Sequence, residues 1–146
     1  MTDPLVILPN MEAVLSQFYR DQPELVDLVG DRVYTAIPKS AGGSPLIRVT
    51  LIGDEKVTSR PLWIFRAQMQ TEAYGGTKAQ AHELARTAEG LLHARAIAAG
   101  EVVDAVIVGV DGGPMIDLPD EEYEPARPRF LFTSTITAHP VATVAS

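Results

Sequence analysis

The stretch LWIFRAQMQTEA, Leu62 to Ala73, constrains the fold more than any other part of the chain. Trp63, Phe65, Ala67 and Met69 fall on one side of a two-residue repeat, and Arg66, Gln68, Gln70 and Glu72 fall on the other. Successive side chains of a strand point to opposite faces, so this alternation specifies a β-strand covered on one face only. At the usual rise, twelve such residues span about 40 Å. A domain of 146 residues has a radius of gyration of about 15 Å. The strand must therefore cross the whole molecule or project beyond it, which is a first hint of a surface meant for a partner.

The segments around it alternate between helical and extended periods. Asn10 is a good N-cap, and Met11, Val14, Leu15 and Phe18 recur at helical spacing. Pro23 interrupts that pattern and suits the first turn of a second helix capped by Asp21 or Gln22, which Gly30 ends. Arg32–Ile37 and Pro45–Gly53 read as strands joined by the flexible PKSAGGS, with Ile47, Val49 and Leu51 on one face. The longest helix follows Thr77, which forms a capping-box pair with Gln80. Its apolar stripe is Ala81, Leu84, Ala85, Ala88, Leu91 and Leu92, and Gly100 ends it. Because half of that stripe is alanine, the helix can approach a sheet closely. Glu101–Asp111 reads as an interior strand and Arg129–Ala138 as an alternating one.

These elements predict an α+β fold in a single domain, with a mostly antiparallel or mixed sheet of about five strands and helices packed on one face. The domain spans residues 10–138. Residues 1–9 form an extended N-terminal arm, because Pro4 and Pro9 bracket Leu5, Val6, Ile7 and Leu8 and disfavour a helix there. That arm either clasps its own domain or docks on a neighbouring subunit. Residues 139–146 form a flexible tail.

Composition excludes several function classes. The formal charge is -7, from 12 basic and 19 acidic residues, which disfavours wrapping nucleic acid or binding an anionic membrane. There is no cysteine, hence no thiolate nucleophile or Cys-based zinc site. No apolar run approaches a membrane span, and the opening MTDPLVILPN lacks the features of a signal peptide, so the expectation is a soluble protein inside a cell.

Gly75, Gly76 and Thr77 raise the question of a phosphate cradle. A Walker loop needs Lys before Ser or Thr and an upstream glycine, and the order Thr77–Lys78 is reversed. No G-x-G-x-x-G occurs either. The three residues read as a strand-to-helix hinge. His82, His93 and His139 show no metal-ligand spacing, and no serine sits in a nucleophile elbow. The expectation is a protein with no catalytic, cofactor-binding or metal-binding residues. The remaining cluster is acidic: Asp111, at the end of the strand, then Asp117, Asp120, Glu121, Glu122 and Glu124 in a proline-rich segment, residues 112–128, read as a loop. It is either a solvated loop or a surface that repels DNA or meets a basic partner.

The order VLSQFYRDQPELVDLVGDRVYTAIP, SPLIRVTLIG, then a long strand passing through a glycine turn into TKAQAHELARTAEGLLHA, resembles the tail terminator (tail completion) proteins of long-tailed bacteriophages, especially those of actinobacterial hosts. The resemblance covers roughly residues 10–138. It implies a homo-hexameric ring that caps the tail tube, stops its polymerisation and joins the tail to head–tail connector or neck proteins. DNA would pass through the lumen without specific binding. Partners would be further copies of the chain, the tail tube protein and the connector proteins, with no membrane. The protein would reside at the tail–neck joint of the virion, after assembly in the bacterial cytoplasm. In that setting Asp117, Asp120, Glu121, Glu122 and Glu124 are candidate lumen- or partner-facing residues, and Leu5, Val6, Ile7 and Leu8 a candidate inter-subunit arm. The competing expectations are a neighbouring neck or head-completion protein, and a small nucleotide-binding or enzymatic domain using the glycine corner.

Overall fold

The computed structural model describes residues 7–57 and 63–141. Asn10 caps the first helix, α1 (Met11–Arg20), its side-chain oxygen accepting from the Ala13 N–H at 3.2 Å. Pro23 opens α2 (Pro23–Val29) after Gln22, and Gly30 ends it at φ 61, a value that favours glycine. Thr77 caps α3 (Lys78–Arg95), accepting from Gln80 N–H at 3.1 Å. The return bond of the capping pair goes one residue further back, from Gly76 N–H to Gln80 Oε1 at 3.0 Å. A 3-10 turn, Ile97–Ala99, leads to Gly100 at φ 70.

Six strands form one mixed sheet in the order β1-β2-β3-β6-β5-β4. They are β1 (Val33–Tyr34), β2 (Leu46–Lys56), β3 (Phe65–Tyr74), β4 (Glu101–Val102), β5 (Ala105–Asp117) and β6 (Arg129–Pro140). Only the β1–β2 pair is parallel. The fold is therefore α+β, with one strand more than expected and helices on one face.

The differences from the sequence reading have local causes. Arg32–Ile37 supplies only the two residues of β1. Glu101–Asp111 is not one interior strand: it turns back at Val103–Asp104, leaving β4 at the edge. Val103 holds φ 55 there, strained for a β-branched residue. β3 starts at Phe65, so Trp63 lies before it, half-buried under Lys56 Nζ at 4.7 Å from its ring centroid. Leu62 lies outside the described residues. β5 continues through Asp117, so the segment read as a loop from Gly112 is extended and paired for its first third. β6 runs through His139 and Pro140, opposite Val106 and Ala105, where the tail was expected to begin.

The core fills the space between the helices and one sheet face. Phe65, Ala67 and Met69 of β3, with Phe130, Phe132 and Ile136 of β6, meet Val14, Leu15 and Phe18 of α1 and the alanine-rich stripe of α3. Burying side chains of this size contributes about 1.5–3 kcal/mol each. One hydroxyl reaches into this layer: Tyr19 OH lies 2.8 Å from Thr71 Oγ1, and burial pushes the phenol pKa up.

Candidate functional site

On the face away from the helices, the alternation of β3 ends in burial. Glu72, expected on the open face, is 2% exposed. Pairing explains which residues reach it: Arg48 of β2 stands directly opposite Glu72, and Arg129 of β6 opposite Tyr74. Arg48 Nη2 donates to both Glu72 oxygens, at 2.9 and 2.6 Å, and Nε donates at 3.2 Å. Arg129 Nη1 donates to Glu72 at 3.1 Å, and Tyr74 OH lies 3.0 Å from Glu72 Oε2.

The segment 118–128 folds over this cluster and is pinned to it. Asp120, 6% exposed, accepts from Tyr74 OH at 2.7 Å and lies 3.7 Å from Arg129 Nη1. Its backbone exchanges two hydrogen bonds with Arg127, at 2.9 and 3.0 Å. Arg127 is also buried, its guanidinium 5.2 and 5.5 Å from the centroids of Tyr74 and Tyr123. It donates to the carbonyls of Gly42, at 3.0 Å, and Ser44, while its Nε has no partner among the described residues. One arginine thus ties the 118–128 segment to the loop before β2.

Electrostatics keep this network ionised. Burial alone would raise Glu72, but the hydrogen bonds and charge of Arg48, then hydrogen bonds from Gln70 and Tyr74, outweigh it and hold the carboxyl below its ordinary range. Asp120 is likewise lowered: Tyr74, the Glu122 N–H and the charges of Arg129 and Arg48 overcome its burial. Burial and the acceptor Asp120 push the Tyr74 phenol up. Every shift moves its group further from neutral pH, the opposite of what a proton-transferring residue needs. The arrangement fastens a loop.

The fastening leaves an open cleft of about 760 Å³ between residues 37–43, the hinge at Gly75–Gly76, and residues 123–128. Gly75 is required there, since an added Cβ would come within 2.5 Å of the Ala81 backbone nitrogen, and its N–H donates to Pro128 at 3.2 Å. With Gly76 bound to Gln80 and Thr77 capping α3, the hinge packs as a corner.

The candidate acidic residues separate. Asp120 is inside the network and not on a solvent surface, because three neighbours compete to donate to or offset its carboxylate. Asp111 and Asp117 lie exposed on β5, Asp117 paired with Lys78 Nζ at 3.1 Å, while Glu121, Glu122 and Glu124 are exposed on the loop. Of the arm, Ile7 is exposed and Leu8 packs partly on the core; Leu5 and Val6 lie outside the described residues. His82 stacks on Phe130 at 4.5 Å, His93 faces Gly112, and His139 is in β6. Sequence reasoning missed Arg48, Tyr74, Arg127 and Arg129. The available signal was an arginine near the start of each of β2 and β6, Arg48 and Arg129, with Glu72 near the end of β3.

No protein-family model and no curated protein sequence matches the chain. Among solved structures, the chain is similar in fold to one from the virion of a native gene transfer agent (GTA) particle. The superposition has a TM-score of 0.59 at 15% identity and covers 88% of this chain and 94% of that one. The shared property is the fold.

Proposed function

We propose that the protein is a structural component of a phage-like virion, the tail terminator, forming a hexameric ring that caps the tail tube and joins it to the head connector. The observation that carries this is the fold, shared with a gene transfer agent virion chain over nearly all of that chain. Two further features support lateral assembly. The long strands β2 and β5 have two-residue neighbours on their outer sides, so each is covered over only a fraction of its length. Glu12 closes one exposed position on β2, accepting from Leu51 N–H at 2.8 Å. Exposed Glu121, Glu122 and Glu124 would give a ring repeated negative charge, over which DNA slides without being held.

The test is assembly. Light scattering should give a hexamer, alone or at tube ends, and removing the protein should leave tubes of uncontrolled length; a monomer with no effect on tube length removes the reading. The virion likeness equally accommodates a neck or head-completion protein, since it names a particle and not a position within it. Co-purification with tube protein supports the terminator, and with portal complex the neck protein. Lysines at Glu121, Glu122 and Glu124 should leave melting unchanged and lower infectivity; normal infectivity would take the loop off the channel.

A further inference from the structure

The outer edge of β2 is closed piece by piece, and one of the pieces is a side chain. N–H groups two residues apart on a strand point to the same side. Ile47 N–H donates outward, to the Arg32 carbonyl at 3.0 Å, so Leu51 N–H also points outward. β1 pairs with Ile47 and Arg48 and goes no further. Past Leu51 the strand carries a bulge, after which the outward positions are Asp54 and Lys56, because Val57 N–H turns inward to Ile64 at 2.7 Å. Bulges and charges are the usual devices that keep a sheet edge from pairing with a further strand. Between β1 and the bulge neither is present: Val49, Thr50 and Leu51 are in regular register and uncharged, and exposed Ile52 follows them. A strand edge of that kind is where another chain adds.

Glu12 fills the gap. It lies in the first turn of α1, whose start is fixed by the Asn10 cap and whose inner side is anchored by buried Met11, Val14 and Leu15. Positioned by that helix, its Oε2 accepts from Leu51 N–H at 2.8 Å. A carboxylate is a stronger acceptor than the carbonyl of an incoming strand, so such a strand must break this bond before its own can form. We propose that Glu12 is a guard on β2: by occupying Leu51 N–H it keeps copies of the chain from joining through this edge, and it must swing away before β2 can take a neighbour. The guard does not depend on the ring reading. Within that reading it holds free subunits apart until they meet a surface able to displace the carboxylate.

Hydrogen exchange and association test it together. Leu51 N–H should be protected in the full chain and should exchange about tenfold faster in Glu12→Ala, with the β2–β3 ladder still protected. Sedimentation over a concentration series should show Glu12→Ala associating at about tenfold lower concentration than the parent chain. Glu12→Gln should follow the parent, because its amide oxygen accepts the same bond without the charge. Adding Ile52→Lys, a charge on the edge itself, should cancel the gain in Glu12→Ala. A Leu51 amide that exchanges equally fast in both chains overturns the guard, as does a Glu12→Ala chain that associates no more than the parent. A rise of equal size in Glu12→Gln comes from lost charge, and a gain that survives Ile52→Lys lies elsewhere on the surface; either result overturns it too. None of these outcomes bears on the ring reading, which stands or falls on subunit number and tube length.

Discussion

The two faces of the sheet are held by different physics. Under the helices, Phe65, Met69, Phe132 and their neighbours pack as one apolar layer, in which each residue contributes through burial to whatever surrounds it. At the Tyr74 end of the other face, Arg48, Glu72, Asp120, Arg127 and Arg129 form a charged cluster in which each group requires particular partners. The apolar layer confers stability with little demand for identity. The charged cluster costs desolvation and in return fixes where one loop lies. The contrast implies that damage to the first unfolds the molecule, and damage to the second frees the 118–128 segment.

The largest effect should come from the apolar side. Phe65→Ala, at a fully buried site, should cost about 3–5 kcal/mol, with all probes of denaturant unfolding moving together. Glu72→Gln should cost about 2–3 kcal/mol by leaving Arg48 and Arg129 without their carboxylate. Its signature is cleavage within 118–128 by a protease while the core stays protected; cleavage only on global unfolding would erase the distinction between the faces.

Acid should reproduce that release. Because Glu72 and Asp120 are held below the ordinary carboxylate range, their stabilisation is present above the unfolded pKa, about 4, and is lost as pH falls through the lowered folded values. Protease sensitivity of the loop against pH should therefore rise on the acid side, and Glu72→Gln should flatten that rise. The smallest effect is a gain. Val103→Gly relieves the left-handed strain at the β4–β5 turn and should add about 1 kcal/mol in thermal melting. Combined with Glu72→Gln it should be additive within about 0.5 kcal/mol, since the two lie at opposite ends of the sheet.

The apolar side was legible because its signals are local. Asn10, Pro23, Gly30 and Thr77 act on residues within a few positions, and the stripe of α3 and the alternation of β3 reveal their buried faces by period alone. The charged side was not, since Arg48, Glu72 and Asp120 meet only after β2, β3 and β6 are in register and the loop has folded back. Periodicity assigns Glu72 to a face but cannot tell that a distant segment covers it. Asp120 was misread for the same reason: the five other members of the acidic run are exposed, and composition does not single out the one that turns inward. The split of Glu101–Asp111 was hidden because Val103 occupies a turn position where glycine would have announced it.

The final described strand, β6, is inserted between β3 and β5 at the middle of the sheet. During synthesis, β1-β2-β3 and the β4–β5 hairpin therefore wait as separate halves, each with an open border, until residues 129–140 leave the ribosome and join them. A chain interrupted before that point is left with two unjoined pieces of sheet.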